Sequence, residues 1–414
     1  MKSQGERGKG LAALVTPGQA HRLPVHRWFL FPHSFSPGLV DWVIGRVGDE
    51  VGYIEDPFVG AGTTVRRAQE LGISACGYDL LPLAVTVTQA KITRYDAGAL
   101  QRRWHLLRPV VESLGRMAEE WDCAEMTAVP AIARWALSPA VLWLMTAVRG
   151  VIREWTSPHE EAFFTTALLR CLIGLSGARR DGGWLRRVGE PEGDPRRAVE
   201  RLDAAVADML ADVASDVLRG RGGTWHVMPA DARALPPPAC PVDGIITSPP
   251  YLNRHDYTRI FALELVVGWG YNERDIIGLR RRLVRSHIEV GRPPAQARDL
   301  FPASLRQALR QVAEASRDGR VPRMVEAYFD DMALVLRQLR TRVRPGGFVA
   351  VVVGNARYSG VMVEVDEILA EMGERVGLRC REIITARVRN NSAQQMGAFG
   401  KLPARESVVI WRRE

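Results

Sequence analysis

The chain has 414 residues, of which 46% are hydrophobic and 25% are charged, and its formal net charge is +9. This composition is typical of a globular protein with two or three domain-sized units, and no apolar run is long enough to span a bilayer. The five cysteines contain no Cys-x-x-Cys pair and no apolar signal segment follows Met1, so we expect a cytoplasmic protein without a disulfide framework, a metal site or a membrane partner.

The positive charge predicts a polyanionic partner, because phosphate neutralisation is the usual reason for such an excess. Arginine supplies almost all of this charge, since the only lysines are Lys2, Lys9, Lys91 and Lys401. The arginine bias of a GC-rich genome would produce the same composition without any nucleic-acid binding. Charge alone therefore leaves both explanations open.

An aromatic segment precedes the first predicted helix. Residues 1–22 predict a mobile tail. Residues 26–37 then carry Trp28 and three phenylalanines and end in Ser36-Pro37, a pair typical of a helix start. The aromatic side chains line either a ligand pocket or an apolar lid on the core.

A strand, a glycine-rich turn and a helix are predicted next. Residues 51–58 read as the strand, residues 59–64 as the turn, and the helix begins at Val65. Gly60 and Gly62 let the backbone pass close beneath a ligand, and the helix N-terminus offers free N–H groups to a carboxylate or phosphate. The third glycine of the dinucleotide fingerprint is missing, so the turn does not match a dinucleotide site.

A second short strand, residues 73–79, ends in an acid. Asp79 lies within about twenty residues of the glycines, the spacing at which a carboxylate reaches ribose hydroxyls. The same side chain would equally cap the helix predicted from Leu80 to Lys91. Both roles are open to one aspartate.

A helical block interrupts this strand–helix alternation from Asp96 to Gly220, where apolar residues follow helical spacing. Within it, residues 177–197 are rich in glycine, proline and arginine and include Arg179 and Arg180. This segment is either a solvated loop or a basic finger near nucleic acid.

The alternation resumes with a strand at residues 224–228, followed by Asp231, and a strand at 242–246, followed by Thr247-Ser248-Pro249-Pro250-Tyr251. A serine hydroxyl and a backbone carbonyl can accept both N–H bonds of an exocyclic nucleobase amine. The two prolines stiffen the loop, and the aromatic residue can stack on a base swung out of its helix. The alternative is a rigid Pro-Pro turn with a packed tyrosine.

These acids and this loop share one position, the carboxyl end of a strand. Asp56, Asp79, Asp231 and the loop at 247–251 follow four successive predicted strands of the alternating pattern. In a doubly wound parallel sheet these strand ends converge on one edge, where ligands bind. Packing alone would favour apolar residues there, so the convergence favours an active site.

The remaining chain adds an arginine-rich segment and closes the sheet. Residues 325–339 read as a helix, 348–353 as an apolar strand, and 380–388 and 406–411 as closing strands. A loop at residues 317–323 is predicted before that helix. The arginines that we expect to contact nucleic acid are Arg179, Arg180, Arg254, Arg280, Arg281, Arg282 and Arg285.

Residues 56–64 (Asp-Pro-Phe-Val-Gly-Ala-Gly-Thr-Thr) and 247–251 (Thr-Ser-Pro-Pro-Tyr) together resemble the amino-methyltransferases of DNA, which make N4-methylcytosine or N6-methyladenine. The resemblance covers residues 26–92, 224–257 and 325–414. It implies an α/β fold, a Rossmann-like sheet that uses S-adenosylmethionine (SAM), with a large helical insertion and a second, Arg-rich insertion. It also implies double-stranded DNA as the partner and no metal, and it leaves a restriction or defence-system partner open.

The resemblance also assigns residues to roles. Asp79 would bind the cofactor's ribose and Asp231 its adenine edge, while Ser248, Pro249, Pro250 and Tyr251 would hold the target base. The full cofactor-binding set that it implies is Pro32, Phe35, Ser36, Asp56, Phe58, Gly60, Gly62, Thr63, Thr64, Asp79, Asp231 and Thr247.

The predicted organisation is one catalytic domain in three parts with two insertions. The tail is 1–22, the catalytic parts are 23–95, 223–257 and 325–414, the helical insertion is 96–222, and the Arg-rich insertion, a candidate for target recognition, is 258–324. Ser248 stands where N6-adenine enzymes usually have Asp or Asn, so we expect cytosine N4 as the target. An N6-adenine enzyme, an RNA base-amine methyltransferase of the guanine-N2 type and a catalytically inactive nucleic-acid binder are the alternatives.

Overall fold

In the computed structural model, residues 10–48, 50–120, 129–216, 222–289, 296–389 and 403–414 are described. A single seven-stranded sheet organises them, and two small hairpins and the helices surround it. The strands are β1 Tyr53–Asp56, β2 Ser74–Asp79, β3 Ala178–Asp181, β4 Trp184–Arg187, β5 Trp225–Pro229, β6 Val242–Thr247, β7 Val343–Gly354, β8 Ala356–Tyr358, β9 Val361–Val363, β10 Leu378–Arg389 and β11 Ala404–Arg413. The α-helices are α1 Pro37–Val47, α2 Thr63–Leu71, α3 Pro82–Ile92, α4 Ala97–Glu120, α5 Ala131–Ala136, α6 Pro139–Trp155, α7 Pro158–Leu175, α8 Pro195–Ser215, α9 Tyr257–Ile260, α10 Ala262–Trp269, α11 Glu273–Arg282, α12 Ala303–Ala315, α13 Arg320–Arg342 and α14 Val365–Arg375.

The sheet has the order β10-β11-β7-β6-β1-β2-β5. Five neighbouring strands, from β7 to β5, are parallel, and β11 pairs antiparallel with both β7 and β10. From β1 the chain winds outward to β2 and β5, and from β6 it winds the other way through β7. The doubly wound Rossmann-like fold predicted from the sequence is confirmed, and its topological switch point lies between β1 and β6.

Apolar residues cover both faces of the central strands, as expected for parallel strands buried on each side. On β7, Val349 and Val351 belong to the core that includes α13 and α14, whereas Ala350 and Val352 belong to the core that includes α1 and α2. The continuous apolar run of this strand therefore divides into two faces by simple alternation.

The two insertions share one hydrophobic core. Buried residues of α4 to α8 pack together with α10 and with Ile276 and Leu279 of α11. The helix expected from residue 325 begins at Arg320, so part of the loop predicted at 317–323 is helical. Within the described ranges, no helix is both long and apolar enough to span a bilayer.

Part of the segment predicted as a mobile tail is packed against the sheet. Residues 10–14 are helical, Pro17–Arg22 forms a 3-10 turn, and Leu11 and Val15 are buried beside α1. Burial of these apolar side chains stabilises the segment, and the short apolar pattern in the sequence did not predict it. Residues 1–9 lie outside the described part of the chain.

A buried ion pair joins the end of α13 to the centre of the sheet. The Arg342 guanidinium donates to Glu55 on β1 through Nε at 2.5 Å and Nη2 at 2.8 Å, and to the Tyr78 hydroxyl on β2 at 2.7 Å. Its Nη1 reaches the carbonyl oxygen of Pro236 at 2.5 Å. All the charge in this cluster is matched, which a buried carboxylate requires.

We predict that Arg342→Met lowers the free energy of unfolding by about 3–5 kcal/mol, because Glu55 then remains buried without a counter-charge. The matched control is Arg337→Met on the same helix, whose pair with Asp299 lies at the surface. That substitution should cost about 0–1 kcal/mol. Chemical denaturation of both variants measures the difference, and equal costs would contradict the structural role given to Arg342.

Candidate active site

A cleft opens at the carboxyl ends of the parallel strands, beside the switch point. Its space, including the part open to solvent, is about 960 Å³. Asp56, Asp79, Asp231 and Ser248, which follow or end four different strands, all line it. The convergence predicted from the sequence is therefore present in the structure.

Asp56 connects the two sequence motifs across the switch point. Its Oδ1 accepts hydrogen bonds from Thr247 Oγ1 at 2.6 Å and from the Phe58 backbone N–H at 3.1 Å, and its Oδ2 accepts one from Thr64 Oγ1 at 2.6 Å. Burial raises the pKa of Asp56 to about 6, although these three donors act in the opposite direction. The carboxylate fixes the glycine turn and the start of the Ser-Pro-Pro-Tyr loop relative to one another.

Asp79 holds the glycine turn from the neighbouring strand. Its carboxylate accepts hydrogen bonds from the backbone N–H groups of Gly60 at 3.1 Å and Leu81 at 2.9 Å. Burial raises the pKa of Asp79 to about 6, the two backbone donors lower it, and the charge of Asp56 raises it further. The side chain thus supports the start of α3 and also faces the cleft, so both predicted roles are sterically available to it.

The two glycines of the turn face different surroundings. Gly60 lines the cleft, whereas a Cβ atom at Gly62 would lie 2.7 Å from Thr88 Oγ1 on α3. Gly62 also has a φ of +79°, a backbone conformation that glycine adopts readily. Its function in this structure is to let α2 and α3 approach closely.

Lys91, on α3, also holds the glycine turn in place. Its buried ammonium donates to the carbonyl oxygens of Phe29 at 2.7 Å and Ala61 at 2.8 Å, and burial lowers its pKa to about 7. No pattern in the sequence indicated this role. A lysine near the end of a helix normally projects into solvent.

The Ser-Pro-Pro-Tyr loop is anchored to β7 and β11. Ser248 Oγ donates to the Val352 carbonyl at 3.2 Å, so its lone pairs remain available as acceptors toward the cleft. Tyr251 is only 7% exposed; its ring lies against Gly354 and its hydroxyl donates to Glu406 at 2.6 Å. In this position the tyrosine ring offers little surface for stacking on a base.

The predicted site residues divide into those that line the cleft and those that support it from outside. Pro32 is exposed, while Ser36 and Pro249 are buried. The predicted residues that line the cleft are Phe35, Asp56, Phe58, Gly60, Thr63, Asp79, Asp231, Ser248 and Pro250. Those outside its lining are Pro32, Ser36, Gly62, Thr64, Thr247, Pro249 and Tyr251.

Several of the predicted DNA-contacting arginines are engaged inside the protein. Arg285 is buried between Asp330 and Asp331, Arg280 pairs with Asp256, and Arg180 pairs with the buried Glu264. Arg179, Arg254, Arg281 and Arg282 have exposed side chains.

An arginine–aspartate network also explains how part of the cleft wall is held. Arg233 pairs with Asp231 at 2.7 Å and with Asp331 at 3.0 Å, and Asp331 in turn accepts hydrogen bonds from Arg285. This network anchors residues 283–287, which form one wall of the cleft. The Asp231 carboxylate is thus engaged by a guanidinium as well as facing the cleft.

Three histidines line the cleft that the sequence motifs did not assign to it. The rings of His33 and His255 contact each other, with their centroids 4.6 Å apart and their planes tilted by 36°. His287 is buried, and neither ring nitrogen has a hydrogen-bond partner among the described residues. Burial lowers the pKa of His287, the nearby Arg280 lowers it further, and the carboxylates of Asp256 and Glu289 oppose this.

Only some of these residues carried a signal in the sequence. His255 and Tyr257 stand in the polar loop directly after Tyr251, so their proximity to the motif could have identified them. His287 lies 36 residues beyond Tyr251 in the Arg-rich insertion, and its place in the cleft depends on the network around Arg285. Among the described residues, no group of three or more potential ligands could hold a metal ion.

Comparison with known proteins identifies relatives along nearly the whole chain. The type II methyltransferase M.AvaI of Nostoc sp. strain PCC 7120 is 29% identical over 452 residues, which cover 98% of this chain and 90% of that protein. The type II methyltransferase M.BsoBI of Geobacillus stearothermophilus is 25% identical over 451 residues, which cover 94% of this chain and 86% of that protein. No family model matches the chain. The family resemblance identified from the sequence motifs is confirmed by these relatives.

We predict that Gly62→Ala destabilises the protein by about 1–3 kcal/mol, because a side chain is strained at positive φ and its Cβ meets Thr88. The control is Gly278→Ala within α11, where nothing lies within 4 Å of the added Cβ. That change should stabilise the protein by about 0.5–1 kcal/mol. Thermal and chemical denaturation measure whether the two substitutions change the free energy of unfolding in opposite directions. A stabilising Gly62→Ala would contradict the close approach of α2 and α3.

Proposed function

We propose that this chain, a relative of type II methyltransferases over nearly its full length, methylates the exocyclic amine of an extruded DNA base, with cytosine N4 as the target. The observation that carries the proposal is the shared cleft. Asp56, Asp79 and Ser248 come from three strands, and each side chain lines the same cavity at the switch point.

The cleft has the chemistry that SAM requires. Phe31, Phe35 and Phe58 supply apolar walls for the adenine and the methionine chain, and Asp79 offers a carboxylate to ribose hydroxyls. The backbone at Gly60 lines the cleft without a side chain to block it. When bound, SAM supplies the electrophilic methyl group. Asp231 takes the adenine edge in this proposal, and its ion pair with Arg233 fixes the orientation of its carboxylate.

Ser248 acts on the nucleophile. A nucleobase amine is a weak nucleophile because its lone pair is delocalised into the ring. The Ser248 hydroxyl donates its own hydrogen to Val352, so its oxygen is oriented to accept an N–H from the amine, and the Pro249 carbonyl accepts the other. These contacts localise the lone pair and aim it into the cleft, and positioning supplies much of the rate.

Tyr251 supports the loop from behind. Its contacts with Gly354 and Glu406 connect the motif to β7 and β11. Stacking of the base on Tyr251, as the family resemblance implies, would require the ring to turn out of this buried position. The exposed arginines Arg254, Arg281 and Arg282 would contact phosphates.

The proposal is tested with purified protein, labelled SAM and duplex DNA of varied sequence, followed by nucleoside analysis. Label in N4-methylcytosine is the expected result. Label in N6-methyladenine would correct the target base, and label only in RNA would replace DNA as the substrate. Methylome sequencing of cells that express the chain then gives the recognition sequence in the DNA. A partner restriction enzyme would recognise the same sequence. Unmodified DNA and RNA throughout would overturn the proposed function.

We predict that Ser248→Ala lowers turnover by about 10²-fold, because the amine loses an acceptor needed most in the transition state. Cofactor affinity, measured by calorimetry, should stay close to that of the wild type. Ser316→Ala, which removes a hydroxyl bonded to Asp318 in the loop before α13, serves as the control and should retain full turnover. A wild-type rate in Ser248→Ala would contradict the assigned role.

We predict that the affinity for SAM falls as the pH drops through about 6. The pKa of Asp79 is raised to about 6 by burial, and the carboxylate form is the one that accepts hydrogen bonds from two ribose hydroxyls. Binding is therefore favoured above this pKa and weakened below it. Calorimetry from pH 5 to 8 measures the effect. Asp79→Asn should bind weakly, with a shallower pH dependence that comes from Asp56, whose pKa is also raised to about 6. A dependence as steep as that of the wild type would contradict the prediction.

A further inference from the structure

The hairpin formed by β3 and β4 stands beside the cleft, and the proposed chemistry does not use it. Its strands pair Ala178 with Arg187, Arg179 with Arg186, Arg180 with Leu185 and Asp181 with Trp184, around a Gly182-Gly183 turn. Because side chains alternate along each strand, Arg180 and Leu185 share one face, and the pairs that contain Arg179 and Trp184 share the other. We call the face with Arg180 and Leu185 the inner face, and the face with Arg179, Asp181, Trp184 and Arg186 the outer face.

The inner face fixes the hairpin to the protein. The guanidinium of Arg180 pairs with Glu264, which is 1% exposed, and lies 5.1 Å from the Phe261 ring and 5.7 Å from the Phe29 ring. Leu185 packs against the core that the two insertions share. A charge buried between aromatic rings and a matched carboxylate holds this element in one position.

The turn of the hairpin contacts the wall of the cleft. A Cβ atom at Gly183 would lie 2.7 Å from Cδ2 of His255, so only glycine fits against the histidine without displacing it. His255 lines the cleft four residues after Tyr251. Trp184, the next residue after this contact, therefore lies beside the wall of the cleft that His255 forms.

The outer face is built for a polyanion. Arg179 and Arg186 are directly opposite each other across the hairpin, an arrangement that costs stability between like charges. Asp181 lies 3.1 Å from Arg186, but both side chains are exposed, so this pair offsets little of the repulsion. Trp184 is 62% exposed, although burial of an indole is strongly favourable. The opposed arginines and the exposed indole both become favourable when phosphates and bases cover the outer face.

We infer that the outer face of this hairpin binds duplex DNA, with Arg179 and Arg186 at phosphates and Trp184 stacked on the bases exposed when the target base leaves the helix. The inference rests on the proposed function. Extrusion of a base costs a few kcal/mol of stacking and pairing, and a side chain inserted at the vacated step recovers part of it. Trp184 is exposed and directly follows the residue that contacts the wall of the cleft.

The experiment compares methylation of two duplexes that carry the site found by methylome sequencing. In one the target base is paired, and in the other it is mispaired and already partly unstacked. On the paired duplex, Trp184→Ala should slow single-turnover methylation by about 10-fold, as expected for the loss of one base–aromatic stack. On the mispaired duplex it should stay within about threefold of the wild type, because less unstacking is needed there.

Two further variants serve as controls. Trp184→Phe keeps an aromatic surface and should restore most of the rate on the paired duplex. Trp155→Ala removes a tryptophan that is 46% exposed at the end of α6 and should change neither rate. Thermal denaturation checks that each variant is folded. If Trp184→Ala does not fold, Arg186→Ala tests the face instead, and it should reduce the salt dependence of DNA binding by about one counterion.

The possible outcomes are distinct. Wild-type rates for Trp184→Ala on both duplexes, or equal losses on both, would overturn the inference while leaving the proposed function intact. If Arg186→Ala leaves the salt dependence of DNA binding unchanged, the phosphate contact inferred for Arg186 is rejected. If the wild-type protein methylates neither duplex, the proposed function is rejected, and the inference with it.

Discussion

The site depends on one buried carboxylate. Asp56 ends β1 beside the switch point and holds the glycine turn through Phe58 and Thr64 and the Ser-Pro-Pro-Tyr loop through Thr247. Without this acceptor, the two motifs would be separate loops on neighbouring strands. Burial disfavours the charged carboxylate and raises its pKa, and the three donors offset part of that cost. The adjacent Glu55 is fixed in the same way by Arg342, so consecutive acids of β1 anchor the sheet on both of its faces.

The insertions contribute to the cleft as well as surrounding it. The segment 283–287 is held by Arg285 between two aspartates of α13, and the β3–β4 hairpin is held by Arg180 against Glu264. In both cases an arginine from an insertion reaches a carboxylate on a distant helix. The sheet supplies the strand ends that line the cleft, while these ion pairs hold the walls around them.

The sequence predicted what depends on local pattern and on strand order. Alternation, glycine turns and acids at strand ends identified the sheet edge and the residues around Asp79 and Ser248. It did not predict contacts that depend on distant partners. Arg285 looked like a phosphate contact because its partners, Asp330 and Asp331, lie about 45 residues away. The sequence left open whether Tyr251 stacks on a base or packs inside the protein, because Gly354 and Glu406, which bury it, follow more than 100 residues later.

The core shared by the two insertions bears on how relatives of this fold diverge. Residues of α4 to α8 and of α10 and α11 bury their apolar faces together, although the catalytic segment with the Ser-Pro-Pro-Tyr loop lies between them in the chain. A change of volume in one insertion must therefore be accommodated by the other. Chimaeras between homologues should exchange both insertions as one unit, because recombination within this pair would separate side chains that pack against each other.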